Sequence, residues 1–314
     1  MTVKILQLSS KKVISILFFI FFYFFSTQHG FCGIEYQWFD WDDNVVYMPT
    51  PLYIFPKSGH VFEREFYLEV SSDIFSILRD PIRAEEFGYS NYELNNEKGS
   101  FIRFSDDPQG SENFFLKDLL SLYPQNKKGL KFWQGPKWED FVLALGSESS
   151  AEKVGIITSR KQSPETIFEG LKYFHEVGLI QYLPKLENIW AVGNPFFSER
   201  MIQTFGYGTD LSGEDPHNAA ENKARLVRAL LDRYFEFAIC NGHTIIWKFS
   251  DDDKKNVISV AHALNQRKDS DFWKIFNIKI EYTGSETQFN FPEYENFTIE
   301  IFKGKLPHES KDNK

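Results

Sequence analysis

Only two cysteines occur in the 314 residues, Cys32 and Cys240. No disulfide framework follows, so the fold has to rest on an apolar core. Cys240, in YFEFAIC, is expected as a small buried hydrophobe at a helix end. The seven His show no paired ligand spacing, which argues against zinc. Basic residues are also in short supply, 35 Lys and Arg against 44 Asp and Glu, for a formal charge of −9. So acidic a chain repels phosphodiester backbones, and no nucleic-acid partner is expected. The run VISILFFIFFYFF (Val13 to Phe25) is thirteen residues long, short of the roughly 20 that a bilayer-spanning helix needs. No internal repeat is visible.

That apolar run has a specific setting. Lys4, Lys11 and Lys12 precede it, and STQHGFCG follows. A basic head, a short apolar stretch and a small-residue exit describe a secretory signal peptide over residues 1–33, cut near Cys32 or Gly33. The expected location is then periplasmic or extracellular, with no membrane contact after cleavage. An uncleaved N-terminal anchor is the alternative, and a buried core helix is another. Cleavage would remove three Lys and no acid, taking the charge of −9 down to −12.

The composition, 42% hydrophobic and 25% charged, is ordinary for a globular protein, and the length suffices for one core or a core plus a second module. IEYQWF (Ile34 to Phe39) reads as a strand. LYIF, HVFEREFYLEV and SFIRF read as short strands within a long polar stretch, and WEDFVLAL as a helix. From Lys153 strands and helices alternate. KVGIIT, ENIWAVG, HTIIWKF and IKIEYTG are the strands, and SPETIFEGLKYFHEVGL, NAAENKARLVRALLDRYFEFAI and KNVISVAHALNQ are the helices. Ser163 is placed to cap the first of these, with Pro164 in its first turn. Between it and the next helix the spacing predicts one strand and a loop. This alternation predicts an α/β fold, a three-layer Rossmann-like parallel sheet with helices on both faces.

Ligands in such sheets bind beyond the carboxyl ends of the strands. Three of the strand ends are unusual: IEYQWF ends in DWDD, GIIT runs into Ser159 and Arg160, and HTIIWKF ends in Ser250 and DDD. Acidic groups converging from two strands form a hard oxygen-ligand site suited to magnesium. A hydroxyl and a helical Lys would add donors for a phosphate.

In order and spacing, these four elements resemble the haloacid dehalogenase-like superfamily, whose members are mostly magnesium-dependent phosphohydrolases. Asp40-Trp41-Asp42 matches its Asp-x-Asp motif, Thr158 its strand-end hydroxyl, Lys223 its helical lysine, and Asp251 with Asp252 its paired acids. The resemblance covers about residues 34–50 and 150–283. It implies Asp40 as nucleophile and Asp42 as general acid and base. It implies Thr158, favoured over Ser159, and Lys223 as phosphate-binding residues, and Mg2+ held by Asp40, Asp42 through its main-chain carbonyl, Asp251 and Asp252. Asn44 departs from the pattern, which usually has Thr or Val there. FSDDP (Phe104 to Pro108) copies the paired acids in the wrong order and reads as a turn.

The domain organisation expected is a discontinuous catalytic core, 34–50 and 150–285, interrupted by a mixed α+β cap-like insertion over 51–149 and followed by a C-terminal extension, 286–314, whose tail after Gly304 is loose. Trp133, Trp138, Phe101 and Arg103 are candidates for a pocket wall in the insertion. The resemblance thus implies an exported phosphatase for a small phosphorylated substrate. The alternatives are a non-catalytic metal- or phosphate-binding protein on the same fold, and a phosphotransferase using the same residues.

Overall fold

The computed structural model of the chain describes residues 33–57, 67–70, 78, 81–95, 97–127, 129, 131–206, 218–284 and 291–302. Residues 1–32, and so nearly all of the expected leader, lie outside them. Among the described residues no helix is long and apolar enough to cross a membrane.

Six strands form one parallel sheet: β1 (Ile34–Phe39), β5 (Val154–Thr158), β6 (Ile189–Ala191), β7 (Ile245–Asp251), β8 (Phe276–Tyr282) and β9 (Thr298–Ile301). Their order is β6-β5-β1-β7-β8-β9, every neighbouring pair parallel. The expected α/β architecture is therefore the observed one. The chain builds outward from β1 through β5 to β6, then returns to lay β7 on β1's other edge. The C-terminal end of β1 is thus the switch point of the sheet, where such folds leave a crevice.

Alternation along the strands feeds two cores. Trp38 points to one face and Phe39 to the other, as do Ile157 and Ile156. On the Trp38 face pack α6 (Phe197–Phe205), α7 (Ala219–Asn241), α8 (Lys254–Asn265) and α9 (Ser270–Ile275). On the Phe39 face pack α2 (Phe114–Lys127), α3 (Trp138–Ala144) and α5 (Pro164–Glu176), with the short α4 (Glu148–Ala151) leading into β5. Trp133 and Trp138 are buried in this second core against Phe174, so they serve packing. Gly155 lies in register with Trp38, and a Cβ there would sit 2.2 Å from the indole.

The helix ends follow their local chemistry. The Ser163 hydroxyl accepts from the Thr166 N–H at the start of α5, and Asn218 caps α7 through Ala220 and Glu221. Gly242, at φ 67°, closes α7 in the left-handed conformation.

A separate antiparallel sheet, β3 (Leu68–Val70), β2 (Leu52–Pro56) and β4 (Tyr92–Glu93), comes from the insertion together with α1 (Pro81–Glu86). Several local expectations need correction. SFIRF is no strand: Ile102–Phe104 form a 3-10 turn, braced by the edge-to-face contact of the Phe101 and Phe104 rings. The interval between α5 and α7 holds a strand and the helix α6 where a loop was expected, because Phe197 and Met201 supply a buried stripe. β9, in the C-terminal extension ahead of Gly304, extends the sheet by a strand the sequence did not mark. Cys240 is exposed, since the last turn of α7 turns that face to solvent. FSDDP is a turn, as expected. The Asp107 carboxylate accepts from the N–H groups of Gln109, Ser111 and Glu112 and from the Ser111 hydroxyl.

Candidate functional site

Two runs of three carboxylates end β1 and β7, and the fold gives each a different task. Asp40, at the end of β1, and Asp251 and Asp252, at the end of β7, come together. One oxygen from each lies within 4.8 Å of the others. Asp42 and Asp43 leave this group. Asp43 adopts φ 57° in a tight turn, where its N–H donates to the Val46 carbonyl. Asp253 caps α8 by accepting from the Lys255 N–H.

Lys223 is the cation of the cluster. It projects from the first turns of α7, is 0% exposed, and donates to Asp40 Oδ1 and Asp251 Oδ2, each at 2.6 Å. The second oxygen of Asp251 accepts from the Asp253 N–H and from Asn256 Nδ2. Burial pushes the Asp40 carboxyl well above the usual range; Lys223 opposes this, and the Asp251 charge adds to it. Burial, then Asp40, Asp251 and Asp43, raise Asp252 in the same way. For Lys223 burial alone would lower the pKa, but Asp251 and Asp40 outweigh it and hold the ammonium above its ordinary value.

One lysine faces three carboxylates, two buried and Asp252 half-buried, so with all three ionised the group carries an excess of two negative charges. A divalent cation matches that excess, and an all-oxygen set suits a hard ion. Ligands facing each other across magnesium stand about 4.2 Å apart and across calcium roughly 4.6 to 5.2 Å, taking the usual metal–oxygen distances. The spread of the three oxygens is compatible with either, so the residues fit a metal while leaving its identity open.

Asp42 lies near enough for its charge to raise Asp40 further. Its carboxylate is held by Arg160, through Nε at 3.1 and 2.9 Å and Nη2 at 2.5 Å, and accepts from the Thr158 hydroxyl at 3.3 Å. Thr158 is buried and turned toward the aspartates, whereas Ser159, one position on, is exposed.

Asn44 staples the loops beneath these groups. Fully buried, its Nδ2 donates to the Asp40 carbonyl and to the Ser250 carbonyl and hydroxyl, while its Oδ1 accepts from Thr283. One amide thereby ties together the ends of β1, β7 and β8. A Thr or Val could not supply both donors and the acceptor.

Asp40, Lys223, Asp251 and Asp252 are thus brought into one cluster, with Asp42 and Thr158 paired beside it. Sequence reasoning noted Arg160 at a strand end without giving it a role, and left out Asn256 and Thr283. Of these only Arg160 carried a signal, a basic residue two positions beyond a strand-end hydroxyl. Neither a protein-family model, a curated protein nor a solved structure matches the chain.

Proposed function

We propose that the chain is an exported, magnesium-dependent phosphatase of the haloacid dehalogenase-like type, which hydrolyses a small phosphomonoester by way of an aspartyl-phosphate on Asp40. The observation that carries this reading is the meeting of Asp40, Asp251 and Asp252 around Lys223 at the switch point of the parallel sheet.

Asp40, Asp251 and Asp252 would hold the magnesium ion, with the main-chain carbonyl of Asp42 as a further ligand. Bound there, the ion would neutralise charge on the phosphoryl oxygens. Lys223, paired with Asp40, and the Thr158 hydroxyl, 3.3 Å from Asp42 Oδ2, would orient those oxygens. The Asp40 carboxylate attacks phosphorus, and the bond to the ester oxygen breaks. In this reading Asp42 serves as the general acid that gives a proton to the departing oxygen. As a carboxylate it then takes a proton from water, whose hydroxyl displaces Asp40 and releases inorganic phosphate. Asn44 keeps the Asp40 main chain in register with Ser250, so the nucleophile and the metal ligands of β7 share one frame.

The test is hydrolysis of an aryl phosphate by the purified chain, with and without magnesium, beside Asp40→Asn. Turnover that requires magnesium and is absent in the variant supports the proposal. Magnesium binding without turnover of any phosphomonoester in a broad panel favours the non-catalytic binding protein. Release of phosphate to an added alcohol in preference to water favours the phosphotransferase.

A further inference from the structure

A short segment ahead of α3, Trp133 to Lys137, lies along the turn that follows β1. Three main-chain hydrogen bonds join the two. The Tyr47 N–H donates to the Trp133 carbonyl at 2.8 Å, the Gly135 N–H to the Val45 carbonyl at 2.9 Å, and the Lys137 N–H to the Asn44 carbonyl at 2.8 Å. Between them Val46 and Gln134 pair as an antiparallel bridge. Trp133 and Trp138 fasten the segment in the core, both buried, with ring centroids 4.6 Å apart.

Gly135 is where the two backbones press together. A Cβ there would meet the Asn44 and Val45 carbonyl carbons at 2.7 and 2.9 Å, and the Asn44 carbonyl oxygen closer still. All three are main-chain atoms, so no side chain can swing aside to make room. Gly135 does not adopt a positive φ, and space alone calls for glycine at this position.

The peptide it touches is the one that ties the site together. Asn44 is fully buried, and its amide donates to the Asp40 and Ser250 carbonyls at 3.0 and 3.2 Å and accepts from the Thr283 hydroxyl at 2.8 Å. Ser250 directly precedes Asp251, and the Thr283 N–H donates to the Asp251 carbonyl at 3.0 Å. A displacement at Asn44 therefore reaches Asp40 and Asp251 together, because a close-packed interior transmits strain. Lys137 holds the far end of the segment. Its buried ammonium pairs with Glu281 of β8 at 2.7 Å and with Asp140 of α3.

We propose that Gly135 is a positioning residue for the metal site. By letting the Trp133–Lys137 segment close on the Asn44–Val45 peptide, it sets the spacing of the Asp40 and Asp251 carboxylates to suit magnesium. This rests on the metal-binding part of the reading above. Gly135 and Lys137 act through Asn44 and not on the ion itself. Magnesium demands near-ideal octahedral geometry at about 2.0–2.1 Å, whereas calcium takes roughly six to eight oxygens at about 2.3–2.6 Å in flexible arrangements. A shift in the ligand pair thus penalises magnesium and is absorbed by calcium.

The experiment measures the affinity of the metal-free protein for Mg2+ and for Ca2+ by titration calorimetry. It compares wild type, Gly135→Ala, Lys137→Met and Phe272→Leu, each at a temperature where circular dichroism shows it folded. Phe272 is buried in α9 against Phe276, the first residue of β8, at the opposite end of the sheet from the aspartates, so its replacement destabilises without touching the brace. Gly135→Ala should lose about tenfold or more in magnesium affinity, in the range seen when outer supports of a metal site are removed. Its calcium affinity should change by less than about threefold. Lys137→Met keeps the bond to the Asn44 carbonyl but frees the segment from β8. It should show the same preference in weaker form, and it decides the matter if Gly135→Ala does not fold. Phe272→Leu should retain both affinities.

Wild-type magnesium affinity in Gly135→Ala would overturn the proposal. So would equal losses for the two ions, or the same selective loss in Phe272→Leu. A wild type that binds neither ion overturns the metal-site reading and this proposal with it. A wild type that binds magnesium, beside variants with an unchanged ratio of the two affinities, overturns this proposal alone.

Discussion

Replacing Lys223 by Met tests the electrostatics of the cluster without an assumption about substrate. The change keeps an unbranched stem of similar volume and removes the ammonium that sits 2.6 Å from both Asp40 and Asp251. Three carboxylates would then remain with oxygens within 4.8 Å of one another and no cation between them. At that spacing and an effective dielectric of about 20, each fully ionised pair repels by roughly 3–4 kcal/mol. Protonation relieves part of this, and breaking a buried ion pair from one side costs about 3–5 kcal/mol in measured cases. For a chain of this size one kcal/mol corresponds to roughly 2–4 °C in melting temperature, so a drop of about 10 °C is expected in metal-free buffer. Magnesium should restore more stability to the variant than it adds to wild type, because it meets one more negative charge. The assay is thermal unfolding of both proteins with chelator and with millimolar magnesium. A variant that melts within 2 °C of wild type without metal would refute the buried pairing. A destabilised variant that magnesium does not rescue would refute the cluster as a metal site.

Three further outcomes follow from the same contacts. Asn44→Ala strips the Asp40 and Ser250 carbonyls and the Thr283 hydroxyl of a buried partner, and should cost about 2–3 kcal/mol in denaturant unfolding with a large fall in activity. Asn44→Ala at wild-type stability would show that water or a shifted loop replaces the staple. Gly155→Ala drives a methyl into the Trp38 indole and should destabilise by roughly 1–3 kcal/mol or more, read as a lower denaturation midpoint and altered tryptophan fluorescence. Ser163→Ala removes the cap of α5 and should cost about 1 kcal/mol, read as a lower denaturation midpoint.

The strands and helices from Lys153 onward were legible because their signals are local. Ser163, Asn218 and Asp253 each accept from an N–H two or three residues ahead, and apolar periodicity marks which faces must be covered. The convergence of the acidic strand ends was legible for a related reason. A parallel sheet puts every carboxyl end on one edge, so the ends of β1, β5 and β7 had to meet.

What escaped was decided by contacts far apart in the chain. SFIRF has the composition of a strand, yet its Ile102–Phe104 close into a 3-10 turn. Helix α2, which the sequence did not mark, found its place because Phe115 and Leu119 fit beneath α5 at Gly170. By itself the sequence determined the order of the elements and the collection of acids at one edge, since propensity, capping and strand direction are properties of short segments. Only the tertiary structure decided which acid does what. Asp40 and Asp42 lie two residues apart, yet one is drawn to Lys223, 183 positions away, and the other to Arg160, 118 positions away. Desolvation and ion pairing act through space, and a run of aspartates carries no record of which cation will reach which carboxylate.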